Sequence, residues 1–277
     1  MGKLEGQVAV VTGASMGIGE AIAKLFVEEG ASVVLSSRDA SRTEAARTRI
    51  GRPERTMAVA CDVRNREEID RLLGLTLHNF GRVDIWVNNA GHGLIDAVEA
   101  MDMRQCRQMF ETNLFGAMDG MQVAIAAMRR QRSGTVINIS SVAGWIPMAG
   151  SGAYSATKFA LNAIGRAART ELLGSGINVL TVCPGYIATD FAANAVKGAQ
   201  RRRIGAAARR GASVEQVARA TLNGYLKRKR EVVTPWYYLI PMWFYRFFPG
   251  AVEGFMAKNL RPADQVIAEA QAARRET

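Results

Sequence analysis

The chain is poor in the residues that build metal centres and disulfide frameworks. Its 277 residues hold two histidines, His78 and His92, and three cysteines, Cys61, Cys106 and Cys183. The cysteines are odd in number and scattered, so no disulfide scaffold and no Cys/His metal spacing is present. No metal site is expected, and the histidines read as surface or loop residues. The start, Met1 to Gly6, lacks an apolar leader, which makes a reducing cytoplasm the expected location. Acidic residues are the minority, 25 Asp and Glu against 36 Lys and Arg. The excess is local: Lys197 to Arg230 carries eleven Lys/Arg and one Glu, a net of +10 where the whole chain is +11. Three readings of that stretch stay open: a solvated face, an anionic membrane surface, or an anionic substrate or acidic partner. No recognised nucleic-acid module accompanies the charge, so nucleic acid is not an expected partner.

What the chain does have is a regular alternation of short apolar runs and helical patterns. Strands are expected at Val8–Thr12, Ser32–Ser36, Thr56–Cys61, Ile85–Asn88, Thr135–Ile139, Asn178–Cys183 and Val232–Thr234. Helices are expected near 18–29, 40–50, 65–80, 103–131, 153–174 and 213–228, the last opened by a capping box at Ser213 and Gln216. This alternation predicts an α/β fold: a Rossmann-like, doubly wound parallel sheet in a single domain. Ligands bind such sheets at the strand C-termini, and the motifs below follow strands.

Two motifs carry the chemistry. Tyr154-x3-Lys158 places a phenol and an ammonium on one face of a helix. The lysine charge is expected to lower the phenol's pKa toward working pH. Ser141, thirteen residues upstream at a strand end, supplies a hydroxyl for the same substrate oxygen; Ser140 is its nearest rival. Such a set suits the interconversion of an alcohol and a carbonyl. The second motif is a glycine-rich turn between strand and helix, Thr12-Gly13-Ala14-Ser15-Met16-Gly17-Ile18-Gly19. Glycines there let the backbone approach a pyrophosphate, and the helix N-terminus favours negative charge.

With Asn88-Asn89-Ala90-Gly91, Asn113 and Pro184-Gly185 added in order, the chain resembles the classical short-chain dehydrogenase/reductase (SDR) family over residues 4 to 235. The resemblance implies an oxidoreductase with catalytic Asn113, Ser141, Tyr154 and Lys158. Asn113 would hold a water linking Lys158 to solvent, and Lys158 would also bind the nicotinamide ribose. It further implies a dinucleotide cradle: Gly13, Ser15, Met16, Gly17, Ile18 and Gly19 at the pyrophosphate, and Asp62 with Val63 at the adenine. Asn89, Ala90 and Gly91 would stand beside the ribose, and Pro184, Gly185, Ile187 and Thr189 at the carboxamide. Ser37 stands where NAD users of the family carry Asp, and Arg38 follows it. A guanidinium binds phosphate through two hydrogen bonds, so NADP(H) is favoured over NAD(H), with Asp39 as the residue that could divert Arg38. The helices at 103–131 and 153–174 resemble the family's subunit interface, so a homodimer or homotetramer is expected.

Beyond residue 235 the resemblance ends. Eight of the chain's twenty aromatics fall within Trp236 to Phe248. The segment follows the basic run 227–230, is too short to span a bilayer, and holds prolines that would break one spanning helix. Peripheral membrane contact through 227–249 and a substrate lid or subunit interface both remain open. The division expected is 1–235 for the catalytic body and 236–277 for the extension, with a short helix or disorder after Pro262. The leading expectation is an NADP-dependent enzyme for a hydrophobic ketone, aldehyde or alcohol. A 3-oxoacyl thioester reductase and a non-catalytic dinucleotide-binding, membrane-docking protein are the alternatives.

Overall fold

The computed structural model describes residues 2–187, 195–197 and 211–258. Thr189, the arginines 201–203, 209 and 210, and the segment 262–277 lie outside the described residues. The seven expected strands form one parallel sheet. They are β1 (Val8–Thr12), β2 (Ser32–Ser37), β3 (Thr56–Ala60), β4 (Ile85–Asn88), β6 (Gly134–Ile139), β7 (Ile177–Pro184) and β9 (Glu231–Thr234), in the order β3-β2-β1-β4-β6-β7-β9. A second, two-stranded sheet pairs β5 (Leu94–Ile95) with β8 (Val196–Lys197). It was not expected from sequence, because two residues carry no periodicity.

Alternate strand residues face opposite layers, as the two-residue period of a strand requires. On one face Ala9, Val11, Val33, Leu35, Leu180 and Val182 pack with α1 (Gly17–Glu28) and the helix Val214–Leu226. On the other, Val10, Val34, Trp86, Val136 and Val179 pack with α3 (Arg66–Phe80), α5 (Gly116–Gln131) and α6 (Gly152–Glu171). The remaining helices of the body are α2 (Ala40–Ile50) and α4 (Met103–Phe110). In chain order the helix Val214–Leu226 is α7, and its capping box between Ser213 and Gln216 is present.

The helix expected over 103–131 is interrupted. Glu111–Phe115 is one π-turn between α4 and α5, closed by Gly116 N–H donating to the Glu111 carbonyl. Gly116 lies so close to the loop after β3 that a Cβ there would stand 2.4 Å from the Val63 carbonyl oxygen. The π-turn therefore sits where α5 begins its closest approach to the sheet.

After β9 the chain forms a 3-10 turn at Trp236–Tyr238, then α8 (Leu239–Phe247) and α9 (Pro249–Lys258). The sequence reading placed no helix here. Pro241 falls in the first turn of α8 and Pro249 opens α9, positions whose N–H has no intrahelical acceptor, so neither ring breaks a bond. They do prevent one continuous helix. No described helix is long and apolar enough to cross a membrane.

Candidate active site

The order of strands reverses between β1 and β4, and the glycine turn meets the turn after β4 at that point. Thr12 ties them together. Its Oγ1 accepts from the backbone N–H of Asn89 at 3.0 Å and of Ala90 at 3.1 Å, and donates to the Val87 carbonyl at 3.1 Å. Asn89 Nδ2 donates back to the Thr12 and Gly13 carbonyls at 2.9 and 3.0 Å. The fit leaves no room for side chains on two glycines. A Cβ on Gly13 would stand 2.8 Å from Ala90 Cα, and one on Gly19 2.4 Å from Asn89 Nδ2. Gly13 and Gly17 also have φ of +63° and +62°, a region that suits glycine. Met16 is extended at the start of α1 and caps it with no side-chain bond, and Ser15 and Ile18 flank it in the turn. The side chain at the N-cap of α1 leaves its first N–H groups uncapped, and N–H groups at a helix N-terminus are the donor set a pyrophosphate requires.

Below this turn lies a fully satisfied polar ladder. Trp86 Nε1 donates to Asn88 Oδ1 at 2.8 Å. Asn88 Nδ2 donates to Asn138 Oδ1 at 2.9 Å and to the Ala117 carbonyl at 3.0 Å. Gly120 makes the approach of α5 feasible, since its Cβ would fall 2.7 Å from Trp86 Nε1.

At the end of β2, Arg38 is exposed and carries no ion pair among the described residues. Asp39 does not divert it. Its carboxylate caps α2, accepting from Arg42 N–H at 3.0 Å and from Ser41 Oγ at 2.8 Å, and Arg42 is its ionic partner at 3.5 Å. Ser37 Oγ is bonded to Thr43 Oγ1 at 2.6 Å. The charge of Arg38 reaches Asp62 and His92. Asp62 is held below the usual carboxylate range chiefly by hydrogen bonds from Arg64, with Arg38 adding to them. His92 is pushed down by burial, then by Arg38 and Arg64. Arg38, Arg64, Asp62 and His92 are therefore close enough to feel one another's charge. Val63 is buried in the core.

Tyr154 stands in the first turn of α6 with Lys158 one turn on. The ammonium lies 5.7 Å from the centre of the phenol ring. The Tyr154 ring packs against Leu94, Cys106, Met109 and Ala153. Burial pushes its phenol up to about 12, opposed by a hydrogen bond with Ser141. This corrects the expectation of a lowered phenol: desolvation outweighs the hydrogen bond with Ser141. Lys158, 5% exposed, is pushed down to about 8 by burial, and its Nζ donates to the Ile139 carbonyl at 2.9 Å. The two serines separate cleanly. Ser140 is buried and donates to the Lys158 carbonyl at 3.4 Å, whereas Ser141 Oγ accepts from Ala143 N–H at 3.0 Å and stands beside Tyr154.

Asn113 sits in the π-turn, 1% exposed. Its Oδ1 accepts from His92 N–H at 2.9 Å and its Nδ2 donates to the His92 carbonyl at 2.8 Å. Gly91 packs against it, 3.0 Å from Oδ1 to a Cβ position. Asn113 thus clamps the loop after β4 in place, a contact that sequence spacing did not reveal. Pro184 ends β7, and Gly185 N–H donates to the Thr234 carbonyl at 2.8 Å. Ile187 bridges to Ala212. Tyr238 is a contact the sequence did not signal. Its ring occupies the space of a Gly185 side chain, and its hydroxyl accepts from Tyr186 N–H at 3.2 Å. Only the fold brings residues 53 apart together here.

Residues 7–200 match the family model described as short chain dehydrogenase. An uncharacterized oxidoreductase of Staphylococcus epidermidis is 36% identical over 189 residues, covering 68% of this chain and 81% of the relative. One from Mycobacterium bovis is 38% identical over 184 residues, covering 66% and 74%. A putative short-chain alcohol dehydrogenase from Sinorhizobium meliloti superposes with a TM-score of 0.66 at 32% identity, over 69% of this chain and 76% of that one. A short-chain dehydrogenase/reductase from Burkholderia phymatum, solved in complex with NAD, superposes with a TM-score of 0.80 at 24% identity, over 89% and 95%. By its sequence and by its fold, the chain belongs to the short-chain dehydrogenase/reductase family of oxidoreductases.

Proposed function

We propose that the chain interconverts a carbonyl and an alcohol on a hydrophobic substrate, with NADP(H) as the preferred dinucleotide. The observation that carries this reading is the convergence of Ser141, Tyr154 and Lys158 in a fold whose glycine turn has no room for a Cβ at Gly13 or Gly19. The dinucleotide, when bound, supplies or receives the hydride. The remaining work falls to side chains of this chain. Tyr154, protonated at neutral pH as any phenol is, donates its proton to the developing alkoxide. Ser141 hydrogen-bonds the same oxygen and fixes its position. Lys158 holds the nicotinamide ribose and places positive charge beside the phenolate that the transfer leaves behind. Asn113 keeps the loop after β4 in register with α6; π-turns such as the one that holds it are frequent at functional sites.

Arg38 supports the choice of NADP(H): among the described residues it carries no ion pair at the end of β2, where Asp39 is already committed to Arg42. The Burkholderia phymatum neighbour was solved with NAD, so the preference rests on Ser37 and Arg38 of this chain. The test is consumption of NADPH and NADH across hydrophobic ketones, aldehydes and a 3-oxoacyl thioester. Turnover is expected to be higher with NADPH. Arg38→Ala is expected to raise the KM for NADPH by about 10- to 100-fold, the scale of a charge-assisted bond, and to leave that for NADH unchanged. A wild-type preference for NADH overturns the cofactor assignment.

A further inference from the structure

The C-terminal segment reverses the usual placement of apolar side chains. In α8 only Met242 is buried, at 7% exposure, while Ile240 is 64% and Trp243 69% exposed. Leu239, Phe244, Phe247 and Phe248 are each about half exposed, and Trp236 just ahead of them is 70% exposed. The rings pack on one another along the helix, Trp243 on Phe247 at 4.9 Å and Phe244 on Phe248 at 5.1 Å. A helix that is apolar around most of its surface belongs in a core or in lipid, and a patch of this kind on a soluble body marks an interaction surface.

Three features select a lipid surface. The first is charge. Between Pro235 and Lys258 the sole acid is Glu253, whose carboxylate accepts from Tyr245 Oη at 3.3 Å; Arg246 and Lys258 are cationic. Lys227, Arg228, Lys229 and Arg230 are exposed at the opposite end of β9. Four strand residues span about 13 Å. That separation is of the same order as the Debye length of about 8 Å over which an anionic surface attracts cations. The second is residue type: tryptophan flanked by cations is the pattern of the membrane interface. The third is orientation. The segment leaves the sheet at the C-terminal end of β9, the edge at which the Tyr154 site opens. There α9, through Glu253, Met256 and Ala257, lines an open pocket of about 330 Å³ together with Val98, Met148 and Gly152, two residues from Tyr154. A second copy of the chain would bring the same rings and the same cations, so self-contact gains no charge complementarity.

We propose that the α8–α9 face docks on an anionic lipid bilayer without crossing it, and that docking turns the mouth of the site toward the membrane. The docking stands or falls independently of the chemistry assigned to Tyr154. The test is flotation of the full-length protein with phosphatidylcholine vesicles, with and without phosphatidylglycerol. Wild type is expected to float with the anionic vesicles and weakly with the neutral ones. Trp243→Ala, Phe244→Ala and Phe247→Ala combined should lower partitioning on the order of 100-fold, with unchanged thermal stability and dinucleotide binding as the check on folding. Lys227→Glu with Lys229→Glu should lower it about 10-fold on anionic vesicles alone. Failure of the wild type to float with anionic vesicles overturns the proposal, and so does equal flotation of the triple aromatic variant. A wild-type dimer that the aromatic variant converts to monomer, with neither floating, overturns it in favour of a subunit interface.

Discussion

Two tryptophans mark opposite regimes in this molecule. Trp86 is fully buried in β4, with its indole N–H bonded to Asn88 and α5 packed over it at Gly120. Trp243 is 69% exposed in α8, and its ring meets Phe247 of the same helix. In the body even polar groups such as Asn88, Asn138 and Lys158 are buried and bonded. In the tail apolar groups face outward. The body spends its apolar surface on its own stability, whereas the tail keeps its apolar surface for something else.

The sharpest test of that contrast compares the two indoles. Trp86→Ala should lower unfolding free energy by about 3–5 kcal/mol, through the cavity it leaves and the bond lost to Asn88. Trp243→Ala should stay within about 0.5 kcal/mol of wild type. Urea denaturation of both measures this, and comparable losses would break the contrast. Next in size is catalysis. Tyr154→Phe should lower turnover by at least about 10²-fold, the scale of lost acid–base assistance, with NADPH binding retained. The triple aromatic variant of α8 should leave turnover of a water-soluble carbonyl unchanged. Near-wild-type turnover of Tyr154→Phe would overturn its role.

The contrast also tracks what the sequence made legible. The strands, the glycine turn and the Tyr154/Lys158 pair were readable because each depends on local spacing. Ser141 and the capping box at Ser213 belong with them. What escaped was nonlocal or too short to have a period: the pairing of Leu94 with Val196, the clamp of Asn113 on His92, and the ring of Tyr238 on Gly185. The basic run and the aromatic segment are neighbours in sequence, yet β9 sets them at opposite ends of a strand. The raised phenol of Tyr154 escaped for a related reason, since a helical i,i+4 spacing shows a neighbouring lysine but not the burial that sets the direction of the shift.

Gly185 is where body and tail touch, so it tests whether they are coupled. A Cβ there would stand 2.1 Å from the Tyr238 ring, and Gly185→Ala should cost about 1–3 kcal/mol by overpacking. In Tyr238→Ala the obstructing ring is gone, so adding Gly185→Ala should cost far less. A double-mutant cycle by thermal unfolding measures the difference. Strict additivity would show that the ring moves aside freely and that the tail is docked loosely.

The smallest expected effect comes from protons inside the body. Burial lowers the Lys158 amine from 10.5 to about 8. Between those two values the unfolded chain binds more protons than the native one, so native stability rises with pH. Below about 8 the full cost of a buried ammonium is present, and from pH 7 to 9 its partial relief should add about 1 kcal/mol. Tyr154 acts in the opposite sense at higher pH. Its phenol is raised from 10 to about 12, so the native state holds its proton longer than the unfolded chain does, and stability falls across that window. Urea denaturation of the dinucleotide-free protein at intervals from pH 7 to 9 reads the first slope, and Lys158→Met should remove it. An unchanged slope in Lys158→Met would assign the pH dependence to other groups. Both shifted groups, Lys158 and Tyr154, lie in the body, so this pH response reports on the body, as the comparison of the two regions requires.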